Sequence, residues 1–193
     1  MTTGVTTRGL NPVITRRLAT FLPGPVLVAL GAAAAGAWLL KTVPWMEPDI
    51  FIAGAARLAG WVSGAAAERA PDGWTLAFAG QPLLVTAACS ATDFFLMTAA
   101  LLGWHGARRV DRPALLPVAA AAALVMAVPV TLAVNALRLV AVAHAHRWVI
   151  PRLPPAYDAF LHQLTGVAVF LPALIALNLL LEYHGRSRTA PRH

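Results

Sequence analysis

The chain has 193 residues, 59% hydrophobic and only 12% charged, with a formal net charge of +7 and a mean hydropathy of +0.68. A soluble globular domain carries about 25% charged residues, so this composition argues against a water-soluble protein and for an integral membrane one. The one cysteine, Cys89, excludes an intrachain disulfide.

The first apolar run, Leu18 to Leu40, is free of charge over 23 residues, enough to cross a bilayer as a helix. The alanines at 32–35 mimic a signal-peptide cleavage site, but the run is long for a signal core and reads as an uncleaved anchor. Phe51 to Ala67 contains Arg57 and is followed by Glu68 and Arg69; it predicts an interfacial or re-entrant helix. Trp74 to Val85, with its Gly-Gln-Pro turn, predicts a small hairpin. Three further spans are predicted at Ala87 to Trp104, Pro113 to Leu137 with a kink at Pro129, and Gln163 to Leu181.

The basic residues decide sidedness. Fourteen of the 15 are arginine, grouped as Arg8, Arg16 and Arg17, as Arg108, Arg109 and Arg112, and as Arg186, Arg188 and Arg192. With four spans, all three groups fall on one side, as the positive-inside rule prefers. No basic helix with interleaved aromatics is present, so nucleic acid is not an expected partner; membrane lipids are. The predicted fold is an all-α polytopic bundle in one membrane domain, 1–193. It has four transmembrane helices, an interfacial helix and a short hairpin on the outer face, and 1–15 and 185–193 are cytoplasmic tails.

This topology gathers chemistry at one face. Cys89 opens the second span, where a helix N-terminus favours the thiolate form. Asp93, four residues on, is expected on the same helical face and able to tune the site. The third span is predicted to end near Asn135 and Arg138, and an arginine there costs about 2.5 to 3.5 kcal/mol if it enters hydrocarbon. Asn135, three residues earlier, can fix the guanidinium or a neighbouring backbone. His162 precedes the fourth span, and Gly166 leaves one face of that helix bare.

Each residue also has a plainer reading: Cys89 as apolar filler, Arg138 snorkelling to headgroups, His162 as an interfacial histidine. His144 and His146 flank Ala145 and form a poor metal pair, so no metal and no cofactor is expected. Walker, Rossmann, HExxH and GxSxG patterns are absent.

The ordered set ACSATDFF (88–95), NALRL (135–139) and HQLTG (162–166) resembles the exosortase/archaeosortase family, most like its small exosortase K-type members. The likeness covers roughly 45–183, and Ala91 stands where family members usually carry glycine. It implies a cysteine protease/transpeptidase in the bacterial cytoplasmic membrane, with its active site outside. Cys89 would be the nucleophile, Arg138 the electrostatic partner and His162 the acid/base, with Ser90, Asn135, Asp93 and Gly166 in support. The implied substrates are secreted proteins ending in a short motif, an apolar helix and a basic tail. The rival class is a non-enzymatic membrane scaffold or assembly factor. A small transporter would want polar residues near mid-bilayer, which the charge-free spans hardly supply.

Overall fold

The computed structural model describes residues 24–78, 81–152, 154 and 157–187. It is an all-α helical bundle whose described part holds four helices long and apolar enough to cross a membrane. The first, α1, runs Gly24–Thr42. Met46–Gly54 follows as a π-helix that passes directly into α2, Ala55–Ser63. After a small sheet come α3 (Thr92–Ala107), α4 (Leu116–Trp148) and α5 (Asp158–Ser187).

Small residues let the spanning helices approach. The buried stripe of α1 is Val28, Ala32 and Gly36, spaced one turn apart. It meets the stripe of α3, where Phe95, Ala99, Gly103 and Ala107 recur at the same spacing. A β-carbon on Gly103 would lie 3.4 Å from the Ala32 Cβ, and one on Gly36 only 2.9 Å from Leu96 Cδ2. Without a hydrophobic drive between helices in lipid, such close backbone contact supplies the packing attraction. The large apolar side chains point outward instead: Leu27, Leu30, Val118, Val125, Leu171, Ile175 and Leu179 are all exposed. Trp38, Trp45, Trp61 and Trp148 are exposed too, as interfacial tryptophans are.

The segment predicted as one interfacial helix over 51–67 divides. Gly64, at φ 69°, caps α2 in the left-handed conformation that glycine adopts without cost, and a strand begins at Ala66. The predicted hairpin is present as β2 (Gly73–Phe78) and β3 (Gln81–Val85), paired antiparallel with Trp74 opposite Val85. β1 (Ala66–Ala70) adds a third strand, order β1-β2-β3. Gly73, at φ 148°, lies against β3 so closely that a β-carbon would come within 2.3 Å of the Val85 oxygen. The Arg57 guanidinium lies 4.7 Å from the Trp74 ring and ties α2 to the sheet.

Two further boundaries differ from the sequence reading. α4 does not end near Arg138 but runs 33 residues to Trp148, with Pro129 inside it. The apolar, alanine-rich turns after Arg138 continue the helix, giving a length of ~50 Å against a hydrocarbon core of ~30 Å. α5 remains helical to Ser187, past the start of the predicted tail. The N-terminal tail, 1–15, lies outside the described residues.

α1, α3 and α4 pack on one another, and α2 and the π-helix pack on α4. α5 leans mainly on α4. Only 6% of its most apolar stretch is buried, against 39% for the span containing α3, so it is the peripheral helix.

Candidate functional site

β3 ends at Val85, and a single 3-10 turn, Ala87–Cys89, carries the chain to the head of α3. The turn is closed by the Cys89 amide donating to the Thr86 oxygen and the Ser90 amide donating to the Ala87 oxygen, both at 2.9 Å. Cys89 is therefore not in the first turn of the spanning helix, as the sequence suggested, but three residues ahead of it. Its thiol is buried with 5% exposure, among Ile52, Ala55, Leu76, Val85, Ala136 and Leu139. Ala91, at the helix N-cap, has φ −103° and ψ 32°, and its side chain is buried. That conformation is open to alanine, so no glycine is required there.

α4 delivers the two polar residues of the site from one face, three residues apart. Asn135 is 1% exposed, and its Nδ2 donates to two main-chain oxygens: Phe51 at 3.2 Å and Cys89 at 3.1 Å. Two backbone acceptors around one amide nitrogen fix which way the amide points. Asn135 thus grips the thiol turn rather than the guanidinium. Its Oδ1 and the Ser90 Oγ are buried with no hydrogen-bond partner among the described residues.

Arg138 is buried at 7% exposure, an unusual place for a charged group in a spanning helix. Its guanidinium is within electrostatic range of the Cys89 sulfur. It lies against the bare face of Gly166, where a β-carbon would sit 3.2 Å from Nε and 3.5 Å from Cζ. The Phe170 ring, one turn further along α5, is 5.2 Å from Cζ. Phe170 in turn stacks on Phe94 of α3 at 4.7 Å between centroids. Glycine and phenylalanine on α5 thus form a flat seat for a planar cation. The open face predicted at Gly166 is present, and the group that fills it is Arg138.

The remaining predicted members divide. His162 lies on α5 one turn before Gly166, at the same end of the helix; its side chain lies outside the described residues. Asp93 is exposed in the first turn of α3, while Cys89 is on the preceding 3-10 turn, so the two do not share a helical face. Sequence reasoning missed Phe94 and Phe170 as the seat of the cation, and the Phe51 carbonyl as an anchor. Only the spacing of Phe170 from Gly166 carried a signal. His144 packs edge-on against Phe78 at 4.8 Å, and no cluster that could hold a metal ion occurs among the described residues.

A separate polar contact joins the far ends of α3 and α5. Asn178 donates from Nδ2 to Glu182 at 3.3 Å, which turns its Oδ1 toward His105, 2.9 Å away, so His105 Nε2 is the donor. Arg109 donates to the Leu181 oxygen at 2.6 Å. Between this contact and the Arg138 seat, α3 and α5 stand apart around an open groove of 320 Å³ lined by Met97, Leu101, Leu174, Ile175, Asn178 and Leu179.

No family model matches the chain, and neither a curated protein nor a solved structure matches it.

Proposed function

We propose that the protein is a membrane-embedded cysteine protease/transpeptidase that cleaves C-terminal sorting signals of secreted proteins. The observation that carries the reading is the guanidinium of Arg138, buried on the Gly166 face and within electrostatic range of the only thiol in the chain. A fixed buried cation close to a cysteine can stabilise the oxyanion that forms when the sulfur attacks a carbonyl. The resemblance of the three sequence motifs to the exosortase/archaeosortase family points the same way.

The reaction follows from the groups. The Cys89 thiolate attacks the scissile carbonyl carbon, forming a C–S bond and a tetrahedral oxyanion that Arg138 stabilises. Collapse breaks the C–N bond, and the leaving amine takes a proton from His162. The thioester that remains is attacked by an acceptor amine or water, which gives its proton back to His162. The C–S bond breaks and the thiolate returns. No cofactor enters this cycle.

The membrane side belongs to the same proposal. The Arg108 and Arg109 pair follows α3, and Cys89 precedes it, so the helix separates the thiol from that basic cluster. With the arginines in the cytoplasm, the thiol lies at the outer leaflet of a bacterial cytoplasmic membrane. There it meets a substrate where its motif leaves the lipid.

Cell-envelope proteomics of strains carrying wild-type chain or Cys89→Ala tests the reading. Secreted proteins with a motif, an apolar helix and a basic tail should keep that tail in the variant strain. Normal maturation in the variant strain removes the nucleophile assignment. One observation favours a second reading, a non-enzymatic scaffold: Cys89 packs in an apolar cluster, as a filler residue does. That reading requires Cys89→Ala to be silent.

A further inference from the structure

We infer that Asn135 is a positioning residue that holds the Cys89 turn in register with Arg138 through the main chain. The inference rests on the reading of Cys89 and Arg138 as the reacting pair.

Asn135 spends both amide N–H groups on carbonyl oxygens of two other elements, the π-helix at Phe51 and the 3-10 turn at Cys89. These are contacts between segments 84 and 46 residues away in sequence. Buried main-chain oxygens left without donors are costly, so both segments are drawn to the same amide. The next buried polar residue on that face is Arg138, one helical turn on. A single turn of α4 therefore carries both the group that grips the Cys89 backbone and a cation within electrostatic range of its sulfur. No flexible element lies between them. Thr86 makes no side-chain cap hydrogen bond to the turn Ala87–Cys89, whose Cys89 oxygen is held to α4 by the Asn135 amide while its side chain packs on Ala136 and Leu139.

Asn135→Leu removes both donors while keeping the branch at Cγ and the number of side-chain heavy atoms, and Asn135→Asp replaces the donor nitrogen with an oxygen that repels both carbonyls. Thr98→Val, at a fully buried polar position on α3 nine residues beyond Cys89, is the control. The probe is iodoacetamide at fixed pH on the full-length protein in detergent, where Cys89 is the single thiol. The rate should fall about tenfold in both Asn135 variants, since an ångström of misplacement costs a reaction up to about 10²-fold. It should hold in Thr98→Val. In an Arg138→Gln background the Asn135 substitutions should add nothing, because the same relationship is already lost.

A merely structural role gives the opposite sign: loosening the fold exposes a buried thiol and raises the rate. An unchanged or faster rate in Asn135→Leu, or effects additive with Arg138→Gln, overturns the inference. The peptidase reading fails separately, if alkylation behaves as expected but Cys89→Ala leaves substrate maturation intact.

Discussion

Gly166 lies face to face with Arg138: a β-carbon there would sit 3.5 Å from Cζ and 3.5 Å from Nη2 as well as 3.2 Å from Nε. The contact is tight enough that even a methyl group displaces the guanidinium by a few tenths of an ångström. Gly166→Ala should lower the rate of substrate cleavage about fivefold, and Gly166→Val about 10²-fold, as the cation leaves its seat. The amount of protein in the membrane should not change. Kinetics of the proposed cleavage with quantified protein checks this; a Gly166→Val variant at wild-type rate removes the seat from the proposed mechanism.

Arg138→Leu should separate stability from activity. A buried guanidinium has a large desolvation penalty, and an apolar side chain of similar length avoids it. The thermal midpoint in detergent should therefore hold or rise while cleavage falls about 10²- to 10³-fold, the order of loss seen when a charge-stabilising group is deleted. Arg138→Lys should not rescue, because an ammonium lacks the planar face that rests on Gly166 and Phe170. A large drop in the midpoint would mean that Arg138 is structural.

The far-end contact between α3 and α5 should contribute modestly. His105→Leu, Asn178→Leu and the double variant form a thermodynamic cycle, read by reversible unfolding in mixed micelles. The coupling should be about 0.6 kcal/mol and below about 1.7, the range of interhelical hydrogen bonds in membranes. A coupling near zero would show that the 2.9 Å contact does not hold α5.

Gly73→Ala tests the sheet that delivers the thiol turn. The left-handed φ and the Val85 oxygen both oppose a side chain there. The substitution should cost more than about 1 kcal/mol and lower the thermal midpoint. Gly64→Ala, at φ 69° with open space around it, should cost less. Equal effects at both positions would mean that the Val85 contact carries no energy.

The sequence was most legible where one physical rule acts alone. Charge-free length located the four spans, and alternation around Gly-Gln-Pro located β2 and β3. It was opaque where tertiary contacts decide. Ala66–Ala70 reads Ala-Ala-Glu-Arg-Ala, a poor strand by propensity, and becomes one only because β2 supplies partners. The predicted third span stops at Leu137 because the charge of Arg138 closes the charge-free run, whereas a bare glycine and an aromatic ring on α5 let that arginine be buried ten residues before α4 ends. The partners of Asn135 were hidden for the same reason: main-chain oxygens carry no sequence signal. The bare helix face at Gly166 was legible in the sequence; that Arg138 is the group resting on it was not.

The helix that supplies one wall of the candidate site is also the one held most lightly. α5 touches α3 near Phe94 and again near His105, with an open gap between. Its inclination is therefore free to follow the thickness of the surrounding lipid, and tilting would slide Gly166 past the guanidinium. Turnover should peak at one acyl length when the protein is reconstituted in a series of phosphatidylcholines from 14 to 22 carbons, and a flat profile would show α5 to be rigid.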